Sequence, residues 1–428
     1  MRQHRLLAAC LAAGLALSAG CSAATPAGTT ATGSGNVTLT YLTFETPDLT
    51  ASFWKTSIAD AQKQVPGLTI KDIVSPNTDR DSYAKQLQAS GQFPDLLQSI
   101  TPSTFASAGL IKPYPQDWVN ANFLDPMGNA NKGKVYIPPT NSQIIPMVFY
   151  NKKLFAQAGI AAAPTTWAEF MADCAKLKAA GITPIELGGS DSFAAAMPLT
   201  GIISADVLGK TPNWLQQRYA GTVHFTDPNV ETAVTKYTTM VQDGYFEPGA
   251  LSVSYADSIT NFTSGKTAMY MMGSWFLGSI PKATAADFGS FLTPTDDGSV
   301  VVPYAVGGSM AISASTPSPD KATAFAEAWS LDPANLKTLI EGDGAFPLLK
   351  GKTIDDYGVN VSQVYKDSYN YVTQDNKKVS AIGWVTNDDA MPSGLNDDFY
   401  AAAQALFNST DVAGQMSKLD SEWNTATQ

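Results

Sequence analysis

The sequence predicts an α/β fold in two lobes, and three observations carry that prediction. At 428 residues the chain is too long for one core, because single cores stop growing near about 250–300 residues. The segment after residue 36 alternates strand and helix patterns, the signature of right-handed crossovers onto a parallel sheet. Finally, Val135–Pro184 reads as a passage from one lobe into another: an extended, turn-punctuated run ends in the apolar strand Pro146–Tyr150. A short helix (Lys152–Gly159) and a strongly marked one follow.

That marked helix shows how the pattern is read. Thr166 is its cap, Glu169 stands at capping-box spacing, and Trp167, Phe170, Met171, Cys174 and Leu177 share one apolar face before Gly181 ends it. In chain order, residues 1–20 read as a signal peptide. Arg2, His4 and Arg5 form a basic start, and Leu6–Leu17 is an apolar run too short to span a bilayer as a mature helix. The small residues Ser18-Ala19-Gly20 before Cys21 resemble a bacterial lipobox, with its usual leucine displaced one step to Leu17. Cys21 is thus the expected lipidation site, and two acyl chains at roughly 0.8 kcal/mol per buried CH₂ anchor a protein stably. Residues 21–35, poor in apolar groups and rich in Gly, Ser, Thr and Pro, read as a flexible tether.

Val37–Phe44 is the first strand, Ser52–Gln64 a helix, Leu68–Val74 a strand, Asp81–Ala89 a helix, and Phe93–Gln98 a short strand. Ligands of such sheets sit at strand carboxyl ends, which here carry Glu45, Ser75–Asn77, Gln98 and Ser99. Beyond Pro184, a Gly/Ala/Ser loop (Gly188–Thr200) leads into a helical region, followed by a short helix at Trp214–Tyr219. Asp227-Pro228 starts a helix whose face holds Val230, Val234, Tyr237 and Val241. Thr267–Met272 is a strand ending in Gly273-Ser274-Trp275. Val300–Ser313 is a second crossing, interrupted by Gly307-Gly308-Ser309. Helices follow from Ser318-Pro319, and from about Gly351 the chain reads as helices added to an existing lobe.

Composition excludes several functions. The net charge of −11 leaves no electrostatic footprint for nucleic acid, polyanions or anionic membrane surfaces. Of three cysteines only Cys174 lies in the body, on an apolar helix face, and is read as core; His224 is the body's one histidine, which disfavours a histidine-based metal site or a Ser-His-Asp triad. The acidic pairs Asp296-Asp297, Asp355-Asp356, Asp388-Asp389 and Asp397-Asp398 lack EF-hand spacing and read as solvated turns and helix starts. No catalytic residue, metal or cofactor is assigned, and no GxxxxGK[ST] phosphate loop occurs.

Several segments, in this order and spacing, resemble the family-one extracellular solute-binding proteins of ABC importers, the maltose-binding-protein type. They are the Cys21 leader, Gly91-Gln92-Phe93-Pro94-Asp95, Tyr150-Asn151-Lys152-Lys153-Leu154-Phe155, Ala158-Gly159-Ile160 and Pro164–Phe170. Gly181–Pro184, Phe262–Met269, Gly273-Ser274-Trp275 and Gly307–Ser309 ahead of Ile312-Ser313 continue the match. The resemblance implies a periplasmic-binding-protein-like fold with hinge crossovers and a central ligand cleft. Lobe one is expected at 36–144 plus 309–350 and lobe two at 145–308 plus 351–428, with hinge strands near Gln143–Val148 and Val302–Gly308. It also implies a monomeric, non-enzymatic carbohydrate receptor on the outer face of the cell membrane, serving an ABC permease backed by a cytoplasmic ATPase.

Sugar recognition needs aromatic faces and groups that hydrogen-bond hydroxyl pairs. The expected ligand-binding residues are Glu45 and Ser99 at strand ends, Asn141 and Asp191 in polar loops, Trp275 and Trp384 off any periodic apolar face, and Gly307, Gly308 and Ser309, where backbone can approach a ligand. The helix-face tryptophans Trp167, Trp329 and Trp423 are read as core, and Asp95 as structural. Two other readings share the composition: a secreted glycoside hydrolase using paired carboxylates, and the same fold binding a polyamine or other non-sugar solute.

Overall fold

The β-alternation of the first strand already sets a core. In β1 (Val37–Thr43) Leu39 and Tyr41 are fully buried while Val37 and Thr40 are not. The computed structural model describes residues 35–47, 49–76, 80–392 and 394–427; the leader, Cys21 and nearly all of the tether lie outside them. Parallel pairing joins β1 to β2 (Leu68–Val74), from Val37↔Leu68 to Thr43↔Val74, and to β3 (Leu96–Gln98). The third strand is shorter than its sequence pattern. Pro94 has no N–H to give the ladder, and the Asp95 carboxylate takes both the Thr40 N–H and the Thr40 Oγ1 hydroxyl, each at 2.8 Å.

Next in chain order come β4 (Ile111–Lys112), β5 (Asn141–Ile144), β6 (Met147–Asn151) and β7 (Thr183–Glu186). They are followed by β8 (Thr267–Met272), β9 (Phe288–Phe291), β10 (Val301–Gly307), β11 (Met310–Ser313), β12 (Phe346–Pro347) and β13 (Lys377–Ser380). Among the described residues they form three sheets, in the orders β2-β1-β3-β11-β4, β7-β8-β6-β9 and β12-β5-β10-β13. The first sheet is not wholly parallel, as the strand–helix alternation predicts. β11 runs antiparallel between β3 and β4, because it arrives from the small sheet rather than over a crossover helix.

The small sheet holds both crossing segments. β5 pairs antiparallel with β10, from Tyr304↔Ile144 to Gly307↔Asn141. Three residues beyond β5 the chain enters the β7-β8-β6-β9 sheet, and three beyond β10 it enters the first sheet. The tail is more than added helices: β12 and β13 flank β5 and β10.

Local signals hold the scaffold. Glu169 N–H donates to Thr166 Oγ1 while the Glu169 carboxylate accepts from the backbone of Thr165 and Thr166, completing the capping box of Trp167–Ala179. Cys174 is fully buried, and burial pushes its thiol well above the usual range. Trp329 and Trp423 are buried in the core, and Trp167 packs at its edge against Phe170, with ring centroids 5.2 Å apart. No helix among the described residues is long and apolar enough to cross a membrane.

Candidate functional site

A cavity of about 370 Å³ opens where the ends of the five-stranded sheet and of the β7-β8-β6-β9 sheet meet the β12-β5-β10-β13 sheet. Its first wall begins where β1 and β3 end. Phe44 and Thr46 follow β1, Gln98 closes β3, and Ser99 sits just beyond with φ 48°, a left-handed backbone that a non-glycine residue adopts at a cost. Gln98 accepts from the Tyr41 hydroxyl and donates to Ser99 Oγ (3.1 Å) and to the Gly308 carbonyl (3.3 Å), tying that strand end to the second crossing. Arg80 opens the helix Arg80–Ala89. Its guanidinium lies 4.0 Å from the Phe44 ring centre, and its Nε donates to the Ser99 carbonyl (3.1 Å).

The floor is the β5–β10 pair, with Asn141, Gln143 and Gly307. Both glycines there are required by close approach. A Cβ on Gly307 would collide with Asn141 Oδ1, and one on Gly308 with Ile137. The opposite wall is aromatic. Trp275 stands 5.1 Å from Trp384, Trp384 is 5.9 Å from Tyr400 and 6.0 Å from Phe193, and Phe193 is 5.3 Å from Tyr255. Trp275 folds back over Gly273, where any side chain would strike its ring. Burial, with the nearby Asp397 carboxylate adding to it, holds the Tyr400 hydroxyl well above the usual phenol range, so it stays protonated and donates to the Gly383 carbonyl (2.7 Å).

The charge of the cavity is lopsided. Asp81, Asp343 and Asp397 line it, and among the described lining residues Arg80 is the one cation. Asp81 accepts from the Thr101 N–H (2.9 Å) and Asp343 from Gln143 Nε2 (3.2 Å), so both are held in place. Among the described residues no cluster of three or more His, Cys, Asp or Glu is placed to hold a metal ion.

Of the residues expected at the site, Ser99, Asn141, Trp275, Gly307, Gly308 and Trp384 line this one cavity. The other three are placed elsewhere. Glu45 is exposed and is not among the residues that line the cavity, although Phe44 and Thr46 on either side of it are. Asp191 spends its carboxylate on the Tyr255 N–H (2.7 Å), so it positions a wall residue. Ser309 is fully buried and its hydroxyl accepts from Ser330 (2.8 Å), which locks the approach to β11 onto the helix Pro319–Leu331. Sequence reading missed Phe44, Arg80, Phe193, Tyr255 and Tyr400, and also Asn129 and Asn396. Arg80 had a signal, a cation opening a helix of the strand–helix alternation, and Phe44 had one as the last residue of the strand read over Val37–Phe44; the others had none.

With this geometry in view, residues 46–336 match the family model described as bacterial extracellular solute-binding protein. The chain is 24% identical over 258 residues to the multiple sugar-binding protein of Streptococcus mutans, covering 56% of this chain and 58% of that protein. The chain thus matches less than two thirds of that relative's length. It superposes on a chitin oligosaccharide binding protein with a TM-score of 0.79 at 23% identity, over 92% of this chain and 99% of that one. With the SBP RafE in complex with raffinose the TM-score is 0.73 at 21% identity, over 92% and 100% of the two chains.

Proposed function

Because this chain belongs to the bacterial extracellular solute-binding protein family, we propose that its interlobe cavity captures a mono- or oligosaccharide and delivers it to an ABC permease. Membership makes it a binding protein rather than an enzyme. The carbohydrate reading rests above all on one observation: an aromatic wall of Trp275, Trp384, Phe193, Tyr255 and Tyr400 shares one cavity with the amides and hydroxyl of Gln98, Ser99, Asn141 and Gln143. Flat aromatic faces suit the apolar side of a pyranose, and the amides suit its hydroxyls. The sugar-binding relative and the sugar-binding structural neighbours support the same reading.

The lobes are 36–144 plus 309–350 and 145–308 plus 351–428, joined at the β5–β10 pair, and they close on a ligand that touches both. Ser99, Asn141, Trp275, Gly307, Gly308 and Trp384 are the ligand-facing set. The chain acts as a monomer, tethered through lipid on Cys21 to the outer face of the cell membrane, beside a permease powered by a cytoplasmic ATPase.

The test is a titration with a sugar panel (galactose, raffinose, stachyose, xylotriose and chitotriose), followed by tryptophan fluorescence and thermal shift. A saturable fluorescence change with a rise in melting temperature, and the sugar recovered intact, is the expected result. No response to any sugar refutes the carbohydrate reading; cleavage products favour a hydrolase. A second reading, a polyamine or other cationic solute, is favoured by the three carboxylates set against Arg80. Spermidine belongs in the same panel.

A further inference from the structure

The cavity contains a side chain that no sequence signal marks. Asn129 is 2% exposed, lines the cavity, and pairs neither Oδ1 nor Nδ2 with any protein group. Burying an amide without partners is costly, so a residue left in that state calls for a reason. Its backbone supplies none, being already held on both sides. Gly128 N–H donates to Asp125 O (3.2 Å), Ala130 N–H to Met127 O (3.0 Å), and Asn131 exchanges bonds with Lys134 at 2.8 and 3.1 Å. Asn387 Nδ2 reaches in from the C-terminal segment to the Gly128 carbonyl (3.1 Å). The turn is rigid and the amide on it is idle.

Two other groups of the cavity lining share the property. Trp384 Nε1 and Asn396 Oδ1 are buried without a partner, and both residues line the same cavity. Gly308 packs close beside the Asn129 amide: a Cβ there would come within 3.3 Å of Nδ2, besides striking Ile137. A donor and an acceptor side by side on a rigid turn match two vicinal hydroxyls, one accepting and one donating.

We infer that Asn129 is a specificity-determining residue of the cavity, reading a vicinal hydroxyl pair of a neutral sugar through both ends of its amide. The inference rests on the carbohydrate reading above. Trp384 Nε1 and Asn396 Oδ1 supply a further donor and acceptor from the opposite wall, so a ligand meeting all three spans the cleft. Pre-placement on a fixed turn lets these bonds form with little ordering cost.

The experiment compares wild type, Asn129→Ala and Asn129→Leu by calorimetric titration with whichever of galactose, raffinose, stachyose, xylotriose and chitotriose the wild type binds best. Each unliganded protein is also melted. Affinity is expected to fall about ten- to a hundredfold in both variants, the loss expected when a buried hydrogen-bonding pair is broken. The melting temperature without sugar is expected to hold or rise, because an unpaired buried amide has been removed. Two results would overturn the inference: a variant that binds as tightly as wild type, or a fall in the unliganded melting temperature in both variants, which would make the amide structural. Failure of the wild type to bind any of the five overturns the carbohydrate reading, and this assignment with it; binding by wild type with unaffected variants removes this assignment alone.

Discussion

Trp275 and Trp384 pack against each other at 5.1 Å, so they present one continuous surface to the cavity. Replacing Trp275 by alanine removes its share of that surface and is expected to cost about 1.5–3 kcal/mol of sugar binding, read as a dissociation constant by calorimetry. The fluorescence response to sugar should shrink with it. Glu186 makes a different prediction, at the end of β7. Its side chain is fully buried, one carboxylate oxygen accepts from Asn261 Nδ2 (3.3 Å), and the other has no partner. Burial above all, with Glu247 nearby adding to it, pushes the Glu186 carboxyl up from 4.5 to about 7. The folded state therefore holds a proton that the unfolded chain releases. Its contribution to stability is full below the unfolded value of about 4.5 and is lost as pH rises through about 7. Glu186→Gln keeps an acceptor for Asn261 and should stabilise the protein by on the order of 1–3 kcal/mol at pH 8, flattening that part of the melting-temperature profile. An unchanged profile would mean the carboxyl titrates normally.

Among the elements, the capping box on Trp167–Ala179 and the close approach at Gly307 separate stability from binding. Thr166→Ala should lower stability by about 1 kcal/mol and leave sugar affinity untouched, as measured by denaturant melts and titration on the same samples. Gly307→Ala should do the reverse. Its new Cβ displaces the Asn141 side chain from the cavity floor, so affinity falls while the melt moves little. The signals that made elements legible are of this local kind. Thr166 with Glu169, Pro228, and the apolar faces of Pro319–Leu331 and Val412–Ala426 each announce a helix within a few residues. Even so, Asp227 gives its carboxylate to the His224 N–H rather than to its own helix. What stayed hidden has no local period. β4 and β12 are two residues long, and β13 reads Lys-Lys-Val-Ser, polar enough to pass for a loop. The site divides the same way. Tryptophans outside a helix face and paired glycines stand out, whereas Phe193, Tyr400 and Asn129 reach the cavity only because tertiary packing brings a short helix, a late helix and a turn together. At the end of β1 the strand-end signal marks the right place but not the residue: Phe44 and Thr46 line the cavity and Glu45 does not.

For the molecule as a whole, ligand binding should appear as mass action on folding. At a sugar concentration about 100 times the dissociation constant, stabilisation is about 2.7 kcal/mol, so the melting temperature should climb with the logarithm of sugar concentration. A climb that levels off would mean that the sugar also binds the unfolded chain. Cys21→Ser should move the protein from the membrane fraction to the soluble fraction while its sugar affinity stays as it was, checked by fractionation and titration.

The place of β11 has a consequence for how the molecule comes into being. Met310 pairs with Gln98 and Ile312 with Lys112, so one strand from late in the chain fills the gap between two early ones. Until it is synthesised, β3 and β4 each wait with an open edge, and no early fragment can finish the first sheet. Pairings between such distant residues are slow to form, and unpaired edges are sticky while they wait. Completion of the first sheet is thereby deferred until Ser313 has been made. A chain bound for the far side of a membrane is left time to be threaded across before it becomes too folded to pass.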